Sequence, residues 1–412
     1  MRIPDPANTV EQQLELLRLL RQFGPQTRRQ IAERTGHSLS QVRQLTQGLV
    51  EQRLLIEHGI ATVGGAGRPS QVWSVAPDAC YAVGLDVGGA WTHAVVLDAL
   101  GRVLVKRSEP TTRAKSSLAL LHDLRRLVEA ALSELGARCR AVRGLGVAFS
   151  GFVDYARGKS LDAPNIPHAH ALPLHEYLSS AFRLPIVVDD SSRAMALAEL
   201  RYGAARYSRN FIGVNVGVGI GAGIVVNGQL YRGALGLAGE LGHIPVMPQG
   251  PPCSCGRRGC LETLASGRAI AARARALLEQ GTPSRLGVLG GGDPARVTAE
   301  MVSKAALEHD DLALRVLDEA GTWLSVGLAV VINLFSPDLV VLTGGVMRGN
   351  HLLLSIVQRE IDQYILPLLP HPFPVVLTWL DENVGALGAA TLILDQEFEG
   401  GFADRMALTA TR

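Results

Sequence analysis

Residues 239–262 read GELGHIPVMPQGPPCSCGRRGCLE, and this stretch brings His243, Cys253, Cys255 and Cys260 close together along the chain. One imidazole and three thiols are the ligand set of a closed tetrahedral zinc site. The glycines inside the cysteine run permit the tight turn that brings three sulfurs to one point. With all four coordination positions filled by protein groups, the sequence predicts a structural Zn²⁺ ion that holds no catalytic water.

The composition bounds the class of protein. The chain has 412 residues with 47% hydrophobic content, which favours two or three domains with cores of their own. A formal net charge of +2 neither demands nor excludes nucleic acid. Five cysteines, three of them clustered, argue against a disulfide scaffold and for a reducing cytoplasm. With no apolar leader at the start and no run of 18 apolar residues, we expect a bacterial cytoplasmic protein without a membrane span.

The first part of the chain has the pattern of a DNA-binding head. Apolar residues recur at helical spacing over 9–23, and a Gly-Pro pair ends that helix. Thr27 and Ser38 are suited to cap two further helices, which a Thr-Gly turn separates. Short strands at 54–56 and 71–75 flank a glycine-rich tip. Three helices and a two-stranded wing are typical of a winged helix-turn-helix.

The third helix has the composition of a recognition helix. Its apolar residues Leu39, Val42, Leu45 and Leu49 predict a buried stripe, and short polar or Arg and Gln side chains lie between them. Such side chains read base edges in the major groove of double-stranded DNA, and a basic wing tip reaches phosphates or the minor groove. The alternative is an ordinary three-helix cap with solvated arginines. The predicted DNA-contacting residues are Arg28, Ser38, Ser40, Gln41, Arg43, Gln44, Gln47 and Arg68.

Beyond residue 80, apolar strands alternate with amphipathic helices, which indicates an α/β fold. A second set of strands begins near residue 211, and the two halves follow variants of one β-β-β-α-β-α plan with a cleft between them. The sequence therefore predicts a winged helix-turn-helix head over 1–76, an effector domain over 77–395 (lobe one about 80–190, lobe two about 210–380, and a final helix returning to lobe one), and a poorly ordered tail over 396–412.

Three glycine pairs follow buried strands. They are Asp86-Val-Gly88-Gly89, Gly217-Val-Gly219 and Gly344-Gly345. The backbone amides of such turns are able to cradle a phosphate, and the aspartate is able to hold a magnesium-bound water. Each pair alone is weak, since most glycine hairpins are only turns. Together and in this order they resemble the two-lobed superfold of sugar kinases, heat-shock protein 70 and actin.

The motif from Gly239 to Glu262, supported by Ala163-Pro-Asn165, Thr343-Gly-Gly-Val346 and Gly385-Ala-Leu-Gly388, is similar to the signature of the ROK family of repressors, open reading frames and sugar kinases. The winged head resembles the repressor branch, which is similar to sugar-responsive repressors of the xylose, glucose-uptake and N-acetylglucosamine types. The resemblance implies that His243 binds zinc through one ring nitrogen and faces the sugar with the other. It implies a sugar-binding set of Asn165, Asp190, Glu240, His243 and Glu262.

Kinase activity depends on the segment from Pro185 to Glu199. At this point the kinases of the ROK family carry a pattern similar to Glu-Asn-Asp-Ala-Asn. The resemblance implies that its Asp is the base that takes the proton of the sugar hydroxyl. Without a gap, the base position is Ser191, which cannot accept that proton at neutral pH. A one-residue slip would make Asp190 the catalytic base.

The phosphate loops depart from the kinase pattern in the same direction. Ala90 and Val218 stand where ROK kinases carry threonines, so two hydroxyls that contact phosphate or its metal are missing. The sequence therefore predicts that ATP and Mg²⁺ are not used and that no catalytic residue is retained. The alternative is tolerated drift within a working kinase.

Three functions fit these patterns. The first is a sugar-responsive regulator, most often a repressor, which binds operator double-stranded DNA as a homodimer or homotetramer, associates with the nucleoid and takes a small-molecule sugar as its effector. The second is a bifunctional ATP-dependent sugar kinase and regulator. The third is an effector-blind regulator controlled by a protein partner. The intact Glu240, His243 and Glu262 argue against the third, because a site without a ligand need not keep them.

Overall fold

The computed structural model describes residues 6–61, 70–111, 114–403 and 406. The predicted wing-tip contact Arg68 lies outside these residues. The head contains three helices and a three-stranded sheet in the order β1-β3-β2. Its elements are α1 (Pro6–Phe23), β1 (Gln26–Thr27), α2 (Arg28–Thr35), α3 (Leu39–Glu51), β2 (Leu55–Ala61) and β3 (Ser70–Val75).

Local chemistry explains where the short helices of the head begin and end. The hydroxyls of Thr27 and Ser38 each accept the backbone N–H three residues on, and a glutamine at that position completes a capping box. Gly36 ends α2 in the left-handed conformation at φ 75°. Leu39 was expected to be buried and this is wrong: it is the first residue of α3, outside the core that starts at Val42, and is 59% exposed.

The two lobes of the effector domain have the same sheet topology. Lobe one has the strand order β10-β7-β4-β5-β6, with β4 to β6 antiparallel and β7 and β10 parallel to β4. Its elements are β4 (Tyr81–Val87), β5 (Trp91–Asp98), β6 (Val103–Pro110), α4 (Ser117–Leu135), β7 (Val142–Phe149), β8 (Phe152–Asp154), β9 (Lys159–Asp162), α5 (Leu174–Phe182), β10 (Ile186–Asp190) and α6 (Ser191–Tyr202).

Lobe two repeats this plan with the order β13-β12-β11-β14-β15, in which β11 to β13 are antiparallel and β14 and β15 are parallel to β11. The α/β class and the repeated two-lobed plan are thereby confirmed. The elements are β11 (Phe211–Val216), β12 (Ile220–Val226), β13 (Gln229–Tyr231), α7 (Glu262–Ala265), α8 (Gly267–Glu279), α9 (Leu286–Leu289), α10 (Ala299–Leu307), α11 (Asp311–Phe335), β14 (Leu339–Thr343), α12 (His351–Glu360), β15 (Val375–Leu377) and α13 (Val384–Gln396).

Two helices have unusually apolar sequences for the same reason, which is burial in a core. Helix α13 packs on α6 and on the lobe-one sheet, and a Cβ at Gly84 or Gly146 would overlap its backbone. Helix α11 is long and apolar enough to cross a membrane by composition. However, 61% of its most apolar window is buried inside the fold, which is typical of a core helix.

The segment after α13 is packed rather than poorly ordered up to residue 403 and again at 406, which corrects the expectation for the tail. Phe398, Phe402 and Met406 are buried in one apolar cluster with Leu16 and Leu17 of α1. The sequence signal was missed because two phenylalanines among glycines show no helical period. The head and the effector domain therefore share a continuous core.

An ionic contact lies beside this core. The Asp395 carboxylate on α13 pairs with Arg21 of α1 at 2.7 Å and with Arg201 of α6 at 2.9 Å. Arg21 also lies over the Phe398 ring, 4.5 Å from its centroid. The Asp395 carboxylate thus joins α1 of the head to α6. The N-terminal end of α6 reaches the cleft between the lobes.

Candidate functional site

A cleft of about 280 Å³ lies between the two lobes. Its walls combine the glycine turns after β4, β11 and β14 with polar side chains from both lobes. The predicted sugar set and the predicted nucleotide loops all line this one cleft: Asn165, Asp190, Glu240, His243 and Glu262, with Asp86, Gly88, Gly89, Gly217, Gly219, Gly344 and Gly345.

His243, Cys253, Cys255 and Cys260 form a compact cluster at one end of the cleft. Their ligand atoms all lie within 4.8 Å of one another. The sulfurs of Cys255 and Cys260 are 3.7 Å apart, and Cys253 Sγ is 3.5 Å from His243 Nδ1. A tetrahedral ion with Zn–S bonds near 2.3 Å would place its ligand sulfurs about 3.8 Å apart. The donors and spacing therefore fit one structural Zn²⁺.

The cluster also folds the chain around the cleft. The backbone of Ile244 accepts a hydrogen bond from Leu261, and Val246 donates to Gly259, so the two ends of the cysteine run are tied together. His243 ends the 3-10 turn Leu241–His243, and its ring contacts Phe152 of lobe one at a centroid distance of 5.4 Å. With Nδ1 facing Cys253, the other ring nitrogen of His243 is left for a ligand.

Glu262 is a buried acid of the cleft, and both of its carboxylate oxygens are hydrogen-bonded. It is the first residue of α7 and only 6% exposed. Its Oε2 accepts the backbone N–H of Ile220 at 3.0 Å, and its Oε1 accepts Arg268 Nη2 at 3.0 Å. A Cβ at Gly219 would overlap this carboxylate, which explains a glycine there.

Glu240 and Asn165 offer acceptors that ligand hydroxyls are able to use. Burial, with the nearby charges of Asp190 and Glu262, raises the pKa of Glu240 to about 7, against an opposing effect of Arg193. Within the described ranges, no donor reaches the buried Oδ1 of Asn165. Carboxylate and amide oxygens placed like this accept pairs of neighbouring hydroxyls.

Asp86, a residue of the predicted nucleotide loops, lies against Ser191 in the cleft, with Ser150 beside them. Ser191 Oγ donates to Asp86 Oδ1 at 2.7 Å, and Ser150 Oγ donates to Ser191 Oγ at 3.1 Å. Burial raises the pKa of Asp86 to about 6, and the Ser191 hydrogen bond opposes this rise. The hydroxyl at the aligned base position is therefore already engaged with a buried carboxylate.

Asp190, the base of the slipped register, acts as the N-cap of α6. Its Oδ1 accepts the backbone N–H groups of Ser192 at 2.8 Å and Arg193 at 3.2 Å. Burial raises the pKa of Asp190, and the charge of Arg193 opposes this rise. The capping bonds leave one carboxylate oxygen of Asp190 to face the cleft.

The other end of the cleft has the backbone of a phosphate site without its hydroxyls. Ala90 and Val218 line the turns, beside the half-exposed Trp91. Gly217 N–H donates to the Gly219 carbonyl, and Gly344 needs its positive φ of 93°. The buried Thr343 hydroxyl nearby has no partner in the part of the chain that the structure describes.

Sequence reasoning missed a buried ionic network behind Glu240. Asp189, which is 0% exposed, accepts Arg193 Nε at 2.6 Å and Arg232 Nε at 2.9 Å. Arg193 is 1% exposed and also donates to the Ala238 carbonyl at 3.2 Å. The signal available in the sequence was Arg193, which stands where the ROK kinase pattern has an asparagine.

In the head, the predicted recognition side chains differ in their freedom. Those that are exposed are Ser38, Ser40, Gln41, Arg43, Gln44 and Gln47. Ser38 and Gln41 cap α3, and Gln47 bonds Glu51. Arg28 is half-buried, stacks 4.4 Å from the Trp73 ring and donates to Thr46. Their contacts with DNA stay predictions.

The cleft, the cysteine cluster and the two repeated sheets define a sugar-kinase-like effector domain joined to a winged head. The chain belongs to the ROK family, whose profile matches residues 82–396. It is 31% identical to the glucokinase of Halalkalibacterium halodurans over 316 residues, which is 76% of this chain and 95% of that protein.

Two similar proteins that match over most of this chain are regulators. The DNA-binding transcriptional dual regulator NagC of Escherichia coli (strain K12) is 31% identical over 376 residues, 91% of this chain and 90% of NagC. A crystal structure of a ROK family transcriptional regulator, a homolog of the E. coli MLC protein, superposes with a TM-score of 0.80 at 26% identity and covers 98% of this chain and 99% of its own. A Streptomyces griseus ROK glucokinase with glucose and AMPPNP gives 0.68 at 31% identity over 76% of this chain and 98% of its own.

Proposed function

We propose that the protein is a sugar-responsive transcriptional repressor that lacks kinase activity. A sugar in the cleft changes the affinity of the winged head for operator DNA. The observation that carries this proposal is the contrast within one cleft: the sugar acceptors are intact, while Ser191 stands at the aligned base position. The regulators among its relatives, which match the head as well, support it.

The sugar end is proposed to recognise a pyranose by its hydroxyls. The sugar hydroxyls would donate hydrogen bonds to Asn165, Asp190, Glu240 and Glu262, and the free ring nitrogen of His243 would add one more contact. Zn²⁺ held by His243 and the three cysteines would supply no chemistry beyond fixing the position and tautomer of that imidazole. Since buried acceptors left unpaired are costly, the site would favour sugars whose hydroxyls match all of them.

Closure of the two lobes on the sugar is the proposed signal. A ligand that binds the closed form better than the open form shifts the population between them. The N-terminal end of α6 brings Ser191 and its N-cap Asp190 to the cleft, and α6 contacts Asp395 through Arg201 near its other end. Asp395 also holds Arg21 of the head, and the two parts share a core. A shift of α6 would therefore move the heads of a homodimer or homotetramer relative to one another.

A direct test is a gel-shift titration of the zinc-loaded protein on DNA from its own promoter region. The titrants are D-glucose, D-xylose and N-acetyl-D-glucosamine. We expect one of them to change operator affinity by about tenfold or more, a coupling free energy of about 1.4 kcal/mol. A series in which no sugar alters binding would contradict the effector role.

Base reading by α3 has its own test. We expect Arg43→Ala to weaken specific binding by about 1–3 kcal/mol, since a bidentate arginine–guanine contact has that magnitude. Arg29→Ala is the control, because Arg29 is exposed on α2 and paired with Glu33. Fluorescence anisotropy on operator and scrambled DNA distinguishes the two. Equal losses on both sequences for Arg43→Ala would make it a phosphate contact instead.

The second candidate function is a bifunctional sugar kinase and regulator. Two observations favour it: glucokinases are 31% identical over the effector domain, and Asp190 keeps an oxygen facing the cleft. It predicts sugar-dependent ADP release by the zinc-loaded protein. Activity on any of the three sugars, abolished by Asp190→Asn, would establish it over the repressor without turnover.

A further inference from the structure

The ionic network behind the cleft links the two lobes through Asp189, a fully buried carboxylate. Asp189 is the last residue but one of β10 in lobe one, and Arg193 lies in the first turn of α6. Arg232 comes from lobe two and reaches the same carboxylate through its Nε. A buried carboxylate between two guanidinium groups costs more in desolvation than it returns unless every hydrogen bond is well formed. Such a network is therefore poor evidence for stability alone, and its position beside Glu240 matters more.

The chain from Arg232 to Ala238 is a closed loop held at both ends by this network. Ala238 N–H donates to the Arg232 carbonyl at 3.1 Å, which closes the loop. Arg232 pairs with Asp189 at one end, and the Ala238 carbonyl accepts Arg193 Nη1 at the other. Glu240 follows two residues later, after Gly239, whose carbonyl accepts the N–H of Ala222. Arg193 and Ala222 thus fix the backbone from which Glu240 enters the cleft.

Arg193 also has a donor left over. Its Nη2 is buried, and among the described residues it has no hydrogen-bond partner. The charges of Arg193 and Glu240 act on one another, each favouring the ionised form of the other. A buried N–H without a partner costs about 1–3 kcal/mol, so a ligand-bound arrangement that brings the Glu240 carboxylate onto it is favoured.

We propose that Arg193 is the positioning residue of Glu240, holding its loop through Ala238 and orienting its carboxylate toward the hydroxyls of the bound sugar. This inference rests on the proposed sugar-binding function. It assigns the arginine a role that a neutral side chain at the same place would not fill, and it makes the Asp189–Arg193–Arg232 network part of the sugar site.

The test is a double-mutant cycle between Arg193→Gln and Glu240→Gln, measured by calorimetry with D-glucose, D-xylose and N-acetyl-D-glucosamine. Hydrogen bonds to charged groups are worth about 1.5–3 kcal/mol, so we expect Arg193→Gln alone to weaken binding about 10–100-fold. In the Glu240→Gln background we expect the same change to weaken binding less than about twofold. Equal losses in both backgrounds would overturn the proposal.

A double variant distinguishes a positioning role of Arg193 from a general loss of the fold. Arg193→Gln leaves Asp189 with Arg232 as its one guanidinium partner among the described residues, so the double variant Asp189→Asn with Arg193→Gln removes both fully buried charges together. We expect this pair to keep zinc content and DNA binding without sugar, yet to bind sugar about tenfold or more weakly. Affinity restored to within about twofold would mean that Arg193 only neutralises Asp189, and would overturn the proposal.

The matched control is Arg273→Gln, at an exposed arginine of α8 that pairs with Glu319 outside the cleft. Its sugar affinity is expected to stay within about twofold of the wild type. A comparable loss in this control would overturn the specific role of Arg193. A wild type that binds none of the three sugars would instead contradict the proposed function itself, which separates the two failures.

Discussion

The two ends of the cleft differ in how completely their chemistry is supported. At the sugar end, Glu262 is held by a backbone amide and an arginine, and His243 by the cysteine cluster. At the nucleotide end, the glycine turns remain but Ala90 and Val218 replace hydroxyls, and Asp86 is buried against Ser191. Recognition needs many fixed acceptors, whereas phosphoryl transfer also needs a base and phosphate contacts. The residues proposed for sugar recognition are therefore held in place, whereas the hydroxyls expected of a phosphate site are absent at Ala90 and Val218.

The largest expected effect comes from the metal ligands. Cys255→Ser would loosen the loop that holds both His243 and Glu262. Two hydrogen bonds of about 1.5–3 kcal/mol each are then at risk, which predicts a loss of sugar affinity of about 100-fold or more by calorimetry. Cys139→Ser, at an exposed cysteine outside the cluster, is the control. Normal sugar affinity in a zinc-free Cys255→Ser protein would break the comparison, because the sugar end would not depend on the metal.

Asp86 tests the nucleotide end through pH-dependent stability. Its pKa of about 6 in the folded protein lies above the usual 3.8, so the folded state binds the proton more tightly. Stability from this group is complete below about pH 4 and is lost as pH rises to about 6. We expect Asp86→Asn to remove that slope and to stabilise the protein at pH 7 by at most about 3 kcal/mol.

Urea unfolding between pH 4 and pH 7 measures the change in stability. Calorimetry measures the sugar affinity of the same variant. We expect sugar affinity in Asp86→Asn to stay within about twofold of the wild type. Unchanged stability across this range would show that the Asp86 carboxylate is not the buried group described here. A collapse of sugar affinity would show that the two ends of the cleft are not separable.

The smallest expected effect comes from two glycines of the same turn, Gly217 and Gly219. A Cβ at Gly219 overlaps the Glu262 carboxylate, whereas one at Gly217 meets only Asn215 Oδ1 at 3.7 Å. Gly219→Ala should therefore displace Glu262 from Ile220 N–H and weaken sugar binding by about tenfold, near the lower end for a charged hydrogen bond. Gly217→Ala should change it less than about twofold. Calorimetry measures the sugar affinity of both variants. Equal losses would contradict the division of the cleft into a sugar end and a nucleotide end.

Much of this fold and site could be predicted from local sequence. The cysteine cluster consists of residues that are close in the chain, and the repeated plan follows from the period of apolar residues. Both can therefore be predicted without a structure. The network of Asp189, Arg193 and Arg232 could not be predicted in this way, because it forms only where side chains from two lobes meet. The packed tail was missed for a similar reason: Phe398 and Phe402 contact α1, at the other end of the chain.

The central claim is that sugar binding without turnover sets the affinity for DNA. The most direct measurement is the dissociation constant of the zinc-loaded protein for promoter DNA, followed by fluorescence anisotropy at fixed salt while sugar is added, with and without ATP and Mg²⁺, and with ADP release recorded in parallel. The account predicts a change of about tenfold or more with one sugar, the same with and without ATP, and no ADP released. A change that appears only with ATP, or ADP released in step with it, would contradict the account.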